Sequence, residues 1–439
     1  MTAKILYWNV EKFGNKKISD TGEPGDDPDF DDNGQLGPLR LAYMLDTFAA
    51  GQHPLGTPFL PDFIIIVEVG KGTAGNQEGQ LVNANGANGV AALLNAIRQE
   101  ARLIANGEDW RAVPPIVVGE QGRGEGVAVF YNSAAWYFLG PDDRGAAYPA
   151  PFQRALPHRR IPNDYGIAAY QNKWEDRQLG QWQYPIRVRA AKQARRDLKF
   201  PGAGNRPPWL TYFGTVAGNP PTLLRLMSVH TSPPTAADGT KQVAKIDTMM
   251  DPMVDAAQQI DVILGDFNVG NLDAANWAPD GPLRPFLIDA NPRYAAILKP
   301  NDDLEAQYDS YYMTQCRKLS QSKIEENNEP YGHYPGYGYL SLSIDNAFVR
   351  RHNVAPPAVQ PNATIVDRVF DNPYRAAAGP PVPAPYTGVI TYANALNIDL
   401  PNILTHLDQN PEANDAFREW PNFGRIRSTS DHLPLIFEV

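Results

Sequence analysis

The chain alternates between short apolar runs and long polar stretches. Apolar runs of about four to eight residues between turn signals are typical of buried strands. Apolar positions at helical spacing also occur, and they predict helices at 39–49, 89–103 and 241–257. The apolar runs predict strands at 4–10, 62–70, 115–119, 126–132, 209–213, 223–230, 261–264, 340–349 and 433–439.

Four polar stretches interrupt this pattern, and they are predicted to be insertions near 15–38, 135–205, 271–338 and 351–420, the first of them a loop. The chain has 439 residues, of which 43% are hydrophobic, so it can bury a sizeable core. Length alone allows up to about three domains. The 36 glycines and 41 prolines predict long irregular loops rather than disorder.

The net charge of −10 argues against a protein that coats nucleic acid or an anionic membrane without specificity. A polyanionic substrate would need local Lys and Arg residues or a bound cation. Cys316 is the single cysteine, which excludes an internal disulfide and a thiolate metal site. The sequence shows neither a signal-peptide core nor an apolar run long enough to cross a membrane, so a cytoplasmic location is expected, with leaderless secretion as the open alternative.

The strand at 261–264 ends in a polar pair that the rest of the chain must explain. Gly265 ends the apolar run and predicts a close approach of another group to the backbone. Asp266 and Asn268 follow at a spacing of two, so extended backbone presents both side chains on one face. Such groups are costly to bury without a partner, which could be a metal, a phosphate or a hydrogen-bonded loop.

Other predicted strands also begin or end in polar residues. Because these residues are spread along the whole chain, their strands are expected to converge on one site, which predicts a single domain over 1–439. The residues are Asn9, Glu68, Glu125, His230, Asp266 with Asn268, Asp345, and Asp431 with His432.

Six segments resemble, in the same order, motifs of the endonuclease/exonuclease/phosphatase superfamily, and within it the DNase I-like enzymes. Gly-Asp-Phe-Asn alone would be a weak signal, whereas six motifs in order are a strong one. The segments are 8–14 (WNVEKFG), 67–69 (VEV), 229–233 (VHTSP), 264–268 (LGDFN), 343–348 (SIDNAF) and 430–434 (SDHLP).

The resemblance implies an α/β (α+β) four-layer sandwich, in which two mainly antiparallel sheets pack face to face with helices outside. It implies a hydrolase of phosphate esters that depends on Mg²⁺ or Mn²⁺, with DNA as the expected substrate. By resemblance, Glu68 binds the metal with help from Asn9 and Asp431, whose oxygen atoms suit a hard cation. Asp266 orients the attacking water and is also a candidate ligand of a second metal, while Asn268 contacts the phosphate.

By the same resemblance, His230 and His432 form the acid/base pair of the reaction. Each needs a carboxylate to fix its tautomer. Asp345 is expected to orient His432, and Glu125 lies where the DNase I-like enzymes place the carboxylate of the other histidine. Arg206 lies where that group has an arginine that contacts the phosphate.

Two weaker signals remain open. Arg195 and Arg196 belong to a basic cluster at 187–199 that is either a substrate-phosphate contact or a solvated helix face. The segment 29–34 matches the first half of a calcium loop, but Arg40 stands where the bidentate Glu is expected. A structural Ca²⁺ there is the less favoured interpretation, and a solvated acidic turn is preferred.

Alternative functions also follow from the sequence. A phosphomonoesterase or a lipid or inositol phosphodiesterase would belong to the same superfamily. The inositol-phosphatase branch normally has a Pro-Ala-Trp-Cys-Asp-Arg-like segment where this chain has 342–346 (LSIDN), which counts against it. Sphingomyelinase-type enzymes are usually exported, and no export signal is seen. A catalytically silent binding module is disfavoured because the motif residues are all present.

Overall fold

The structure is a computed structural model of the chain. It describes residues 2–22, 35–49, 60–74, 82–113, 115, 117–119, 124–138, 206, 209–218, 221–231, 259–270, 274–278, 281–283, 294–297, 315–318, 339–342, 344–351, 363–365 and 428–439.

The first sheet contains seven strands among the described residues. Their order is β14-β15-β1-β2-β5-β3, and β4 also pairs with β5. The central β1–β2 pair is parallel and the other pairs are antiparallel. The strands are β1 (Lys4–Phe13), β2 (Phe63–Gly70), β3 (Trp110–Val113), β4 (Val117–Val118), β5 (Glu125–Asn132), β14 (Ala363–Ile365) and β15 (Leu435–Glu438).

The second sheet contains six described strands in the order β10-β13-β9-β8-β7-β6. Its central β8–β9 pair is parallel, and its other pairs are antiparallel. A separate two-stranded ribbon is formed by β11 (Gln315–Lys318) and β12 (Tyr339–Leu342). The strands of the second sheet are β6 (Trp136–Phe138), β7 (Trp209–Thr215), β8 (Leu223–His230), β9 (Gln259–Asp266), β10 (Ala295–Ala296) and β13 (Asp345–Arg351).

The two sheets pack face to face around an aromatic core. Phe63 of β2 meets Phe213 of β7 edge-on, with ring centroids 4.9 Å apart, and it lies 5.2 Å from Trp136 of β6. β2 is covered by the second sheet on one face and by helices on the other, which explains its continuous apolar sequence. Burial of this surface is the main contribution to stability of such a fold.

The longer helices lie on the outer face of the first sheet. In α3, the buried residues Val90, Leu93, Leu94 and Ile97 follow the i, i+3, i+4, i+7 spacing of an amphipathic helix. No helix in the described part of the chain is long and apolar enough to cross a membrane. The helices are α1 (Asn15–Ile18), α2 (Leu36–Ala49), α3 (Ala84–Gln99), a 3₁₀ turn (Ala101–Leu103) and α4 (Ala274–Trp277).

The predicted fold class is confirmed: two mainly antiparallel sheets form a sandwich with helices outside. Two local predictions were wrong. The single strand at 340–349 is two strands, β12 and β13, because the chain leaves the ribbon and enters the second sheet between them. The stretch 15–38, expected to be a loop, contains α1 and the beginning of α2. The predicted helix at 241–257 lies outside the described residues.

Candidate active site

Three adjacent strands of the second sheet place three site residues in one row. The register pairs His230 at the end of β8 with Asp266 at the end of β9, and Asp266 with Asp345 at the start of β13. Gly265 permits this register. Its φ is 156°, and a Cβ there would lie 1.9 Å from the carbonyl oxygen of Val229 on β8. The predicted close approach at this glycine is therefore confirmed.

The first sheet brings Asn9 and Glu68 to the same place. β1 and β2 run parallel, and the β1–β2 register shifts beyond Asn9, where the strand bulges. The Asn9 amide nitrogen lies 3.1 Å from Glu68 Oε1 and 3.3 Å from Asp266 Oδ2, so it joins the two sheets. Glu68 has a φ of 60°. This left-handed conformation costs a non-glycine residue about 1–2 kcal/mol, and such strain is concentrated at functional sites.

His230 is held by Glu125, as the resemblance predicts. Nδ1 of His230 lies 2.6 Å from Glu125 Oε1 and 2.8 Å from Nη1 of Arg206; because the carboxylate can only accept, a protonated Nδ1 donates to Glu125. Arg206 donates to the other oxygen, Oε2, at 2.7 Å, and to the backbone carbonyl of Thr231 at 3.2 Å. Arg206, predicted to contact the phosphate, thus shares the carboxylate that orients His230, and its side chain is 14% exposed.

His432 is held by Asp345 in the same manner. Nδ1 of His432 lies 2.7 Å from Asp345 Oδ2, and the hydroxyl of Tyr7 donates to Asp345 Oδ1 at 2.8 Å. The indole nitrogen of Trp8 donates to the backbone carbonyl of His432 at 2.7 Å. The backbone and the ring of this histidine are therefore both fixed by residues of other elements.

The second ring nitrogens of the two histidines meet at one carboxylate. Nε2 of His230 lies 3.6 Å from Asp266 Oδ2, and Nε2 of His432 lies 3.7 Å from the same oxygen. Glu68 Oε1 is 3.5 Å from His230 Nε2. Both histidines thus approach one carboxylate oxygen. In each ring, Nδ1 is bound to its orienting carboxylate and Nε2 faces the site.

Burial and neighbouring charges shift the pKa values of Asp266 and His432. Burial raises the pKa of Asp266 to about 6, and the neighbouring Asp345 carboxylate adds to this, against the opposing effect of the two histidines. Burial lowers the pKa of His432, but the Asp345 and Asp266 carboxylates outweigh burial and raise this pKa to about 10.

The pKa values of His230 and of Glu125, which holds it, shift in opposite directions. Burial lowers the pKa of His230, the Glu125 carboxylate raises it and Arg206 opposes Glu125, with a net shift upwards. Burial raises the pKa of Glu125, but the charges of His230 and Arg206 outweigh burial and lower it. Glu125 therefore remains a carboxylate that accepts hydrogen bonds from both neighbours.

The donor set fits a hard divalent cation. Ligand atoms of Glu68, His230 and Asp266 lie within 4.8 Å of one another, and the same holds for Asp266, Asp345 and His432. Asn9 Oδ1 is buried and has no hydrogen-bond partner among the described residues. An amide oxygen and two carboxylates are ligands that Mg²⁺ and Mn²⁺ prefer.

The surroundings of His432 support the same conclusion. Two amide nitrogens face its Nε2, from Gln315 at 2.9 Å and from Asn9 at 3.3 Å. Amide N–H donors suit the neutral ring, whereas a pKa of about 10 favours the protonated ring. A cation among the carboxylates reconciles the two, since it would offset the charges that raise this pKa.

Asn268 and Asp431 complete the predicted set. The backbone N–H of Asn268 donates to Asp266 Oδ1 at 2.8 Å, and its side-chain nitrogen donates to the Thr231 carbonyl at 2.9 Å. Its φ of 50° turns the chain at the strand end, which asparagine tolerates better than most residues. Asp431 lies beside His432, with its Oδ1 3.9 Å from Nε2. Arg195, Arg196 and the segment 29–34 lie outside the described residues.

Comparison with known proteins gives matches among solved structures only. No protein-family model matches the chain, and no curated protein matches it. A similar structure is an endonuclease/exonuclease/phosphatase family protein from Leptotrichia buccalis, 12% identical, with 99% of this chain and 98% of that chain covered and a TM-score of 0.39. Another such family protein, from Bacteroides thetaiotaomicron, is 10% identical, with 100% of this chain and 97% of that chain covered and a TM-score of 0.37.

A third match is TDP2 of D. rerio complexed with a single-strand DNA product, 12% identical, with 100% and 98% covered and a TM-score of 0.39. These matches name the family that the ordered motifs resemble.

Sequence reasoning missed four residues that support the site. Tyr7 was indistinguishable from a core residue of an alternating strand. Ser430 donates to the Asn9 carbonyl at 2.5 Å and accepts from the His432 N–H at 2.9 Å, so it fastens the bulge of β1 to the histidine. Thr231 lies within the motif segment 229–233 and Gln315 lies far from every motif, and only the tertiary structure shows their contacts.

Proposed function

We propose that this protein is a divalent-metal-dependent phosphodiester hydrolase, specifically an endonuclease that cleaves DNA. The observation that carries the proposal is the pair of carboxylate-held histidines, His230 and His432, whose Nε2 atoms lie 3.6 and 3.7 Å from one oxygen of Asp266. Hydrolysis of a phosphodiester needs a base for the attacking water and an acid for the leaving oxygen. The pair supplies both within one centre.

The row across β8, β9 and β13 suits an in-line displacement. His230 lies on one side of Asp266, while Asp345, which holds His432, lies on the other side. One histidine accepts the proton of water at Nε2 and the other donates a proton from Nε2 to the leaving oxygen. Asp266 accepts a hydrogen bond from the water and so orients it.

Asn9, Glu68 and Asp266 would hold the Mg²⁺ or Mn²⁺ ion, with Asp431 as a further candidate ligand. When bound, such an ion neutralises charge on the phosphate. Arg206 supports the reaction through Glu125, whose Oε2 it binds at 2.7 Å. Asn268 lies at the strand end beside Asp266, where its amide can contact a phosphate oxygen.

A test is the nicking of supercoiled plasmid in Mg²⁺, with EDTA as the blank. His230→Ala and His432→Ala should each lower the rate by about 10²–10⁴-fold, the usual contribution of general acid–base catalysis. Ile104→Ala, at an exposed position outside the site, is the control and should cleave at the wild-type rate. Circular dichroism checks that each variant folds.

A panel of single-stranded DNA, RNA, an abasic-site duplex and inositol phosphates defines the substrate. If both histidine variants nick plasmid at the wild-type rate, the acid/base assignment is refuted. Release of inorganic phosphate from inositol phosphates, without nicking, would replace the nuclease with a phosphomonoesterase. Absence of metal-dependent hydrolysis across the panel would indicate a binding module.

A further inference from the structure

Gln315 reaches the site from outside both large sheets. It is the first residue of β11 in the β11–β12 ribbon, and its backbone forms an isolated antiparallel bridge with His432. This places its side chain against the site, where the residue is 8% exposed. Residue 315 belongs to none of the six motifs, and its segment is polar.

The Gln315 amide touches two neighbouring site residues. Its nitrogen lies 2.9 Å from His432 Nε2 and 3.3 Å from Asp431 Oδ2. With Nδ1 of His432 donating to Asp345, Nε2 is an acceptor when the ring is neutral, which is the state that a cation bound among the carboxylates would favour. An amide NH₂ group carries two hydrogens, so it can donate one to the ring and one to the carboxylate.

The Gln315 amide connects the side chains of Asp431 and His432, which do not bond to each other directly. Asp431 Oδ1 lies 3.9 Å from His432 Nε2, which is too long for a hydrogen bond. The amide of Gln315 spans this gap without adding charge to a site that already contains several carboxylates.

On the basis of the function proposed above, we propose that Gln315 is a positioning residue that fixes Asp431 for metal binding and holds His432 Nε2 in place. Hydrogen-bond partners of metal ligands typically contribute 10–100-fold to metal affinity or activity. Loss of the amide should therefore weaken metal binding and slow the chemical step, while leaving substrate binding unchanged.

The test variant is Gln315→Met, which keeps the length of the side chain and removes its hydrogen bonds. Binding of Mn²⁺ to the full chain without substrate, followed by electron paramagnetic resonance, should show a dissociation constant raised about tenfold. With saturating metal, kcat for plasmid nicking should fall about tenfold and KM should stay within about twofold. Gln99→Ala, an exposed glutamine at the end of α3, is the control and should match wild type.

Three results would overturn the proposal. In the first, both the Mn²⁺ affinity and the kcat of Gln315→Met stay within about twofold of wild type. In the second, Gln315→Met changes KM alone. In the third, Gln99→Ala changes Mn²⁺ affinity and kcat as much as Gln315→Met does. The binding measurement needs no turnover. If wild type hydrolyses nothing but Gln315→Met still weakens Mn²⁺ binding, the hydrolase proposal fails and the positioning role stands.

Discussion

The two site histidines differ in what else binds their carboxylates. Glu125 is shared between His230 and the Arg206 guanidinium, whereas Asp345 is shared between His432 and the neutral hydroxyl of Tyr7. The positive charge of Arg206 beside Glu125 lowers the pKa of His230, whereas the Tyr7 hydroxyl places a neutral donor beside Asp345. The contrast gives the two rings different proton affinities within one site.

Asp345→Asn tests the carboxylate that orients His432. The amide can present a donor to His432 Nδ1 and so favour the wrong tautomer, which in a comparable triad costs about 10⁴-fold in kcat. We expect a fall of about 10²–10⁴-fold in plasmid nicking. Tyr7→Phe keeps the carboxylate and removes only the 2.8 Å hydrogen bond, so its rate should fall less than about tenfold. Equal losses in the two variants would contradict this assignment.

The pKa of His432 predicts how the metal-free protein responds to pH. The folded-state pKa is raised from 6.5 to about 10, so folding favours the protonated ring. This contribution to stability is complete below pH 6.5 and is lost as the pH rises towards 10. In EDTA, the free energy of unfolding measured with urea should therefore fall over this range.

The control for this prediction is Asp345→Asn, which removes the main cause of the raised pKa. Burial also lowers the pKa of Lys17 to about 8, which contributes an opposite trend above pH 8 in both proteins. The difference between wild type and variant cancels the contribution of Lys17, and the variant should lose less stability from pH 6.5 to 10. Parallel curves for the two proteins would show that Asp345 does not raise this pKa.

At the scale of the strands, the site depends on how closely β8 and β9 approach. Gly265→Ala would place a Cβ 1.9 Å from the Val229 carbonyl oxygen, so the parallel pair would have to separate. We expect a loss of more than about 3 kcal/mol in the free energy of unfolding, since overpacking and backbone strain combine. Urea unfolding monitored by tryptophan fluorescence measures the loss.

Gly107→Ala is the matched control for Gly265→Ala. Gly107 also has a positive φ, of 85°, but no atom lies within 4 Å of a Cβ built there. Only the backbone conformation is strained, so the expected loss is about 1 kcal/mol. If the two substitutions cost the same, the close contact between β8 and β9 has no energetic role.

The strands could be predicted because each carries its own local pattern. β2 is a continuous apolar run, and the pair at 115–119 and 126–132 is present as β4 and β5. Motif residues such as His230 and Asp266 stand at strand ends, where the pattern breaks. Gln315 could not be predicted, because its role depends on the ribbon crossing His432 and not on any nearby residue.

At the scale of the whole molecule, the site lies at the seam between the two sheets. Asn9 and Glu68 come from the first sheet and Asp266 from the second, and Asn9 contacts both carboxylates. A cation bound to all three would hold the sheets together and would be released on unfolding. Ligands that bind only the folded state stabilise it by mass action.

Mn²⁺ should therefore raise the melting temperature, with a stabilisation of about 2.7 kcal/mol at a concentration of 100 times Kd. Glu68→Gln removes a charged ligand and should abolish most of this shift. Glu108→Gln should keep the full shift, because Glu108 lies away from the site. It precedes β3, and β3 pairs with the end of β5 that is farthest from Glu125. Differential scanning calorimetry of the three proteins with EDTA, Mg²⁺ or Mn²⁺ measures the shift. A shift that persists in Glu68→Gln would place the cation elsewhere, because the seam would then lack one of its two carboxylate ligands.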